Sequence, residues 1–239
     1  MNQLFYKTTH SVRQVVQVTI YAWCCLSTSF AVAAISNGDF SQPETPADST
    51  QDFFVSWEVD PLFGDPPTDD NGQAKFLVGD GSDAVQLQQE FTLPEGSMLL
   101  MFQYRLGTDG VFDSNGVRDS FQATLFDPDT FDPLLAISDP VFPSFFSVDN
   151  DGTEFLGSAT TRQDDGMFAT ITTDVSSLAG RTVLLEFMAA GNSLQSDGLD
   201  TTIWLDNVSI SAVPEPSLPI GLASVGILLA ARRRRKTPF

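Results

Sequence analysis

Histidine, cysteine and basic charge are scarce in this chain. Its 239 residues hold one His and two Cys, and 12 Lys and Arg stand against 31 Asp and Glu. His10, Cys24 and Cys25 all fall within the first 34 residues. The stretch 35–212 therefore has neither residue type, which excludes a Ser-His-Asp triad, a Cys nucleophile and a typical zinc site. Disulfides are excluded there as well, so burial, with hard metal ions as the remaining cross-link, must hold it together. Its only bases are Lys75, Arg105, Arg118, Arg162 and Arg181, against 30 acids, for a net charge of −25. Such a body repels phosphate backbones, so nucleic acid is not an expected partner.

The two ends differ in character from this body. Residues 1–34 carry Lys7 and Arg13 and no acid, then an apolar run at 15–26 and the small residues Ala31, Val32 and Ala33. Basic start, short apolar run and small-residue site together read as a cleaved secretory signal peptide, residues 1–34. The alternative is a membrane helix, but the run is 12 residues and holds Gln17 and Thr19, against the ~20 apolar residues of a span. Cys24 and Cys25 would leave with the signal. No small residues stand directly before them, so a lipid anchor is not read there.

At the other end, Val213, Pro214, Glu215, Pro216 and Ser217 precede an apolar run of 14 residues, 218–231. Arg232, Arg233, Arg234, Arg235 and Lys236 follow. This is a Pro-containing spacer, a helix-prone apolar segment and a basic membrane stop that should stay cytoplasmic. At ~1.5 Å rise the run covers about 21 Å, short of the ~30 Å hydrocarbon core, and snorkelling arginines recover part of the mismatch. Such a marginal transmembrane helix suits a transient anchor.

These residues resemble the PEP-CTERM sorting signal over about 213–236, with Pro214, Glu215 and Pro216 as the recognition motif. The resemblance implies a partner, an exosortase-type membrane enzyme of exopolysaccharide-producing Gram-negative bacteria. It also implies a route: export, transient inner-membrane anchoring through the C-terminal tail, then release or transfer to the cell surface or extracellular matrix. The alternative is an ordinary C-terminal anchor behind a Pro-rich linker.

Within residues 35–212, period-2 patterns dominate. Phe53, Val55, Trp57 and Val59 alternate with polar neighbours, as do Val85, Leu87 and Phe91, and again Phe121, Ala123 and Leu125. Residues 98–102 form a continuous apolar run, expected to be buried on both faces. Residues 167–173, 182–188 and 201–210 add further strands. Acidic loops are expected at 60–72, 108–119, 126–133 and 149–154. Short strands between Gly, Pro, Asp and Asn turns predict an all-β, jelly-roll-like antiparallel β-sandwich over 35–212, with 213–239 as the sorting and anchor segment. In the last strand Ile203 and Leu205 share one parity while Val208 and Ile210 share the other. A bulge near Asp206–Asn207 would return all four to one face.

Asn37-Gly38-Asp39-Phe40 opens the body and Trp204-Leu205-Asp206-Asn207-Val208-Ser209-Ile210 closes it. Together they look like the first and last strands of a galactose-binding-like jelly roll, the fold of many carbohydrate-binding modules. Leu178-Ala179-Gly180-Arg181-Thr182-Val183 fits as a turn entering a strand. The resemblance implies a structural calcium ion held by Asp206 and Asp39 or a nearby carbonyl. Ser41 stands where that family commonly has Glu, and turn hydrogen bonds are the other reading of these aspartates. The loop 149–152 is a second oxygen-rich stretch, but Ser147 and Ser158 stand where an EF-hand needs Asp and Glu, so it reads as an acidic turn.

Sugar sites need aromatic platforms beside polar groups. The body has 17 Phe but only Trp57, Trp204 and Tyr104 as larger aromatics. Trp57 shares parity with apolar residues and belongs to the core. Trp204 is opposite in parity to Ile203 and Leu205, and Tyr104 ends an apolar run. These two are the candidate carbohydrate contacts, with packing as the alternative. The run 141–146 is either an adhesive patch or a core lid. The expected function is that of a non-catalytic surface or matrix protein, with exopolysaccharide as a carbohydrate partner. The alternatives are a structural or adhesive matrix protein without a small ligand, or a glycosidase using paired carboxylates.

Overall fold

The computed structural model describes residues 35–42, 54–63, 65–79, 84–110, 117–136, 143–191 and 198–213. The expected signal peptide, the Pro214-Glu215-Pro216 motif and the basic cluster 232–236 lie outside these residues. Among the described residues no helix is long and apolar enough to cross a membrane. They form twelve strands: β1 Glu58–Phe63, β2 Thr68–Asp69, β3 Ala74–Val78, β4 Ala84–Thr92, β5 Met98–Gly110, β6 Ser120–Phe126, β7 Phe146–Asp149, β8 Glu154–Leu156, β9 Thr160–Asp164, β10 Ala169–Asp174, β11 Thr182–Ala190 and β12 Leu199–Ala212. One sheet has the order β1-β4-β11-β6-β7-β8 and the other β2-β3-β12-β5-β10-β9. The strand pairings among the described residues are antiparallel, from the β4–β11 ladder to the long β5–β12 ladder. The chain is thus an all-β sandwich of two antiparallel sheets.

The inner faces follow the period-2 reading. Val85 and Leu87 on β4, Phe121, Ala123 and Leu125 on β6 and Phe187 on β11 are buried against Phe102 on β5 and Phe76 on β3. Phenylalanine rings cross the interface as a connected set. Phe102 meets Phe187 edge-on at 5.0 Å and Phe146 at 5.6 Å. Phe121 stacks on Phe187 at 6.0 Å and contacts Phe76 at 5.6 Å. Of the described part of the 141–146 run, Phe145 and Phe146 are core while Pro143 is exposed.

The bulge expected in the last strand is present: β12 shifts register against β5 between Asp206 and Ser209, and Asn207 takes φ 53°. Ile203, Leu205, Val208 and Ile210 are consequently all buried. The N-terminal segment docks at this irregularity, with Val208 N donating to Gly38 O at 2.8 Å. A Cβ on Gly38 would collide with the Val208 carbonyl, so glycine is required for that close approach. Phe40 then enters the core beside Phe54 and Trp57, whose indole N–H donates to Asn37 O at 3.1 Å. Gln89, inward on β4, fixes the same segment: it donates to Ser36 O and Ser56 O and accepts from Ser36 N.

Three local expectations are corrected, and two strands are added that the alternation did not signal. The strand predicted from Phe53 begins only at Glu58, because a turn at Val55–Ser56, with Ser56 at φ 70°, shifts the parity and buries Phe54. The 98–102 run is buried on one face, while Leu99 and Met101 are half-buried on the other. The stretches read as loops at 60–72 and 108–119 contain strand residues of β1, β2 and β5. Strands β3 and β9 had no clear alternating signal, being short edge-proximal pieces held by their neighbours.

Candidate functional site

The two candidate aromatics lie on the same sheet with opposite orientations. Trp204 faces outward from β12, opposite Lys75 on β3 and Arg105 on β5. The Arg105 guanidinium sits 3.9 Å from the centre of the indole ring, and Lys75 Nζ lies 5.8 Å away. The six-membered ring rests over Gly107, where a Cβ would come within 3.0 Å of it. Its indole N–H donates to Asp70 Oδ2 at 2.8 Å, and that bond holds the Asp70 carboxyl below its usual range. Cation contacts of this kind are worth roughly 0.5–2 kcal/mol. The indole is therefore dressed by two cations and is not a bare platform.

Tyr104 is not at a strand end. β5 runs on to Gly110, which leaves Tyr104 mid-strand with its ring against Phe146 at 5.1 Å and only 3% of its surface exposed. Only its hydroxyl reaches outward, donating to Glu154 on β8. Burial, then this hydrogen bond, pushes the phenol pKa up. Arg162 Nε on β9 is 2.6 Å from the same Glu154 oxygen, and its Nη2 is 2.7 Å from Asp164. The cluster joins the edge of one sheet to the edge of the other. It forms the floor of a cavity of about 260 Å³, whose walls include Arg105, Met167 and Phe168.

Asp39 and Asp206 are brought close by the docked N-terminal segment. Burial raises the Asp206 pKa, with the Asp39 charge adding to it, while Asn207 N–H donates to Asp206 Oδ1 at 2.6 Å. Asp39 Oδ1 accepts from the Ser41 amide and hydroxyl, so both aspartates also make turn bonds. The donor set is all oxygen, the class that calcium takes, with two carboxylates where calcium uses 6–8 oxygens in all. Among the described residues no group of three or more His, Cys, Asp or Glu could hold a metal ion. The 149–152 stretch is a tight turn between β7 and β8, closed by Gly152 N to Asp149 O at 2.9 Å, with Asp151 paired to Arg118.

A second feature was not singled out from the sequence. On the outer face of the first sheet, Gln86, Met188, Gln122 and Ser147 stand in one cross-strand row. Glu58, Gln88, Glu186 and Thr124 form the next row. Gln88 Nε2 donates to Glu186 Oε2 at 2.6 Å and to Gln86 Oε1 at 3.2 Å. The centre of these rows is recessed from water, with Gln122 2% and Glu186 8% exposed, while Gln86, Gln88 and Met188 are half-buried and Glu58 is exposed. Burial raises the Glu186 pKa. Gln122 Oε1 is buried without a hydrogen-bond partner, a costly state for an amide oxygen. The only sequence signal was the Gln86, Gln88, Gln122 alternation, and the apolar residues between them drew the reading inward.

No family model matches the chain, and no curated protein matches it. Among solved structures it is similar to one described as "CBM4 structure and function", with a TM-score of 0.36 and 13% identity over 66% of this chain and 95% of that one. It is also similar to TmCBM61 in complex with beta-1,4-galactotriose, with a TM-score of 0.31 and 14% identity over 75% of this chain and 94% of that one.

Glu186 gives a pH prediction. Its pKa is higher folded than unfolded, so the folded state holds the proton more firmly. Stability from this group is complete below its ordinary value of 4.5 and is lost as pH rises through the folded value. Glu186→Gln should therefore raise the melting temperature at pH 7 and change it little at about pH 3.5. Thermal melts at both pH values check this; a variant less stable at pH 7 contradicts it.

Proposed function

We propose that this is an exported, non-catalytic carbohydrate-binding protein of the cell surface or exopolysaccharide matrix. The observation that carries the binding reading is the recessed amide face of the first sheet, with its unpartnered Gln122 oxygen. Amides and a carboxyl set in register offer alternating donors and acceptors, which is what a hydroxyl-rich ligand satisfies. A buried acceptor with no protein partner is a place where a ligand hydroxyl or a water adds a bond at little reorganisation. The non-catalytic reading is supported on the same face by Glu186 being bonded to the Gln88 amide, which separates it in the row from Glu58; glycoside hydrolysis needs two carboxylates flanking one bond. Glu154 and Asp164, in the cavity, are both engaged by Arg162. Exposed large hydrophobics such as Phe131 and Met167 are scattered singly, which favours defined binding over an adhesive patch.

Delivery rests on the two ends. The signal peptide exports the chain, the 218–231 segment holds it briefly in the inner membrane, and an exosortase-type enzyme recognises Pro214-Glu215-Pro216. Mass spectrometry of the surface fraction from the native host should find a body lacking the tail. Glu215→Ala should leave the protein membrane-bound with the tail intact, and normal processing of that variant contradicts the sorting reading. We further propose that Asp39 and Asp206 share a structural calcium ion. Calcium should then raise the melting temperature above that in chelator, and Asp206→Ala should remove the difference. Identical melts in calcium and chelator contradict the site.

Gln122 tests the binding face directly. Gln122→Met removes the unpartnered buried amide at similar volume, so it should stabilise the fold by about 1–3 kcal/mol. The same change should weaken glycan binding by about tenfold, the equivalent of one hydrogen bond of ~1.4 kcal/mol. Denaturant titration and calorimetric glycan titration read the two effects. Higher stability with unchanged affinity would remove this face from recognition.

A further inference from the structure

Arg105 stands apart from the other arginines. In a body with six acids for every base, Arg118 pairs with Asp151, Arg162 with Glu154 and Asp164, and Arg181 with Asp127. Arg105 has no ion pair among the described residues, and its Nε is buried without a hydrogen-bond partner. Arg105 is half-buried, and a buried donor left without an acceptor costs free energy, which the rings beside it offset only in part. Trp204, its cross-strand neighbour on β12, lies 3.9 Å from the guanidinium carbon, and Phe168, at the start of β10 on the other side, lies 5.6 Å from it. A planar guanidinium flanked from both neighbouring strands has its faces occupied, and the edge left for bonding is its in-plane fork. That is the edge to which a carboxylate binds through two parallel hydrogen bonds.

The surroundings are those of a sugar acid. Arg105 lines the cavity of about 260 Å³ together with Tyr104, Glu154, Arg162 and Asp164. This volume suits one sugar unit and not a long polymer segment. Glu154 and Asp164 can accept hydroxyl hydrogens, and Met167 and Phe168 give an apolar wall for a pyranose face. Three of the five bases of the body gather at this corner: Arg105, Arg162 and, across Trp204, Lys75. Asp70 is the nearest competing carboxylate and is already bonded to the Trp204 indole. The acidity of the rest of the body opposes an anionic ligand only weakly, since at 0.15 M salt charges beyond about 8 Å are largely screened.

We infer that the cavity beside the Phe168–Arg105–Trp204 stack binds a uronic acid unit, with the Arg105 fork on its carboxylate. This site lies where the edges of the two sheets meet, away from the amide rows of β4, β11 and β6, and is chemically different from them. The test uses the full-length protein and a panel of trisaccharides containing galacturonate, glucuronate or mannuronate, each paired with its carboxyl-reduced form. Calorimetry should find at least one acid form bound tenfold or more tighter than its reduced twin. Arg105→Gln should abolish that preference, and so should Arg105→Lys, which keeps the charge but loses the fork. If Arg105→Gln does not fold, Phe168→Ala removes one ring and should lower the same preference. Equal affinity for the acid and reduced forms, or a preference that survives these changes, overturns the inference. Neutral sugars bound without preference for the acid would leave the amide face standing and sink this site alone. A panel in which nothing binds sinks this site, and neutral glycan binding then decides the amide face separately.

Discussion

The structure depends on a layer of phenylalanine rings shared by its two sheets. With no cysteine in the body, no covalent bond can hold the sheets together, and a net charge of −25 pushes the chain apart. Phe102, Phe121, Phe146, Phe187 and Phe76 answer both by linking β3 and β5 of one sheet to β6, β7 and β11 of the other. Each fully buried ring contributes about 1.5–3 kcal/mol, against a net stability of about 5–15 kcal/mol for a whole domain. The layer fills the space between the sheets with side chains, and the groups proposed for recognition lie on the outer faces and at the sheet edge.

The bulge in β12 serves both purposes. It turns Val208 and Ile210 inward with Ile203 and Leu205, and it opens the backbone to Gly38. That contact brings Phe40 into the core and Asp39 beside Asp206. Before the bulge the same strand presents Trp204 outward, where it positions Arg105. On the opposite sheet the outer rows of β4, β11 and β6 carry amides in register. The sandwich thus offers one amide-lined face that also carries Glu58 and Glu186, and one corner where Arg105, Arg162 and Lys75 gather.

Much of this was legible in the residues. The parity break between Leu205 and Val208 announced the bulge, and the parity of Trp57 and Trp204 placed one inside and one outside. Tyr104 was misplaced because the apolar run ends there and an acidic loop was read from Thr108; the strand character of β5 comes from pairing with β12 along its whole length. The Phe53 strand failed because a left-handed Ser56 has no composition signal of its own. The burial of Gln122 and Glu186 could not be read from alternation, which assigns such residues to solvent and does not register what recesses them. The ion pairing of three arginines is likewise tertiary, and the isolation of Arg105 appears only when its neighbours on three strands are known.

The central claim is that recognition sits on outer faces built from polar side chains. Side-chain amide NMR of the full-length protein, titrated with soluble exopolysaccharide fragments, tests it most directly. The account predicts saturable shifts at the Gln88 and Gln122 amides, with the Trp57 indole in the core unmoved. Fragments that bind while leaving both glutamine amides unshifted, or that shift the Trp57 indole instead, would contradict it.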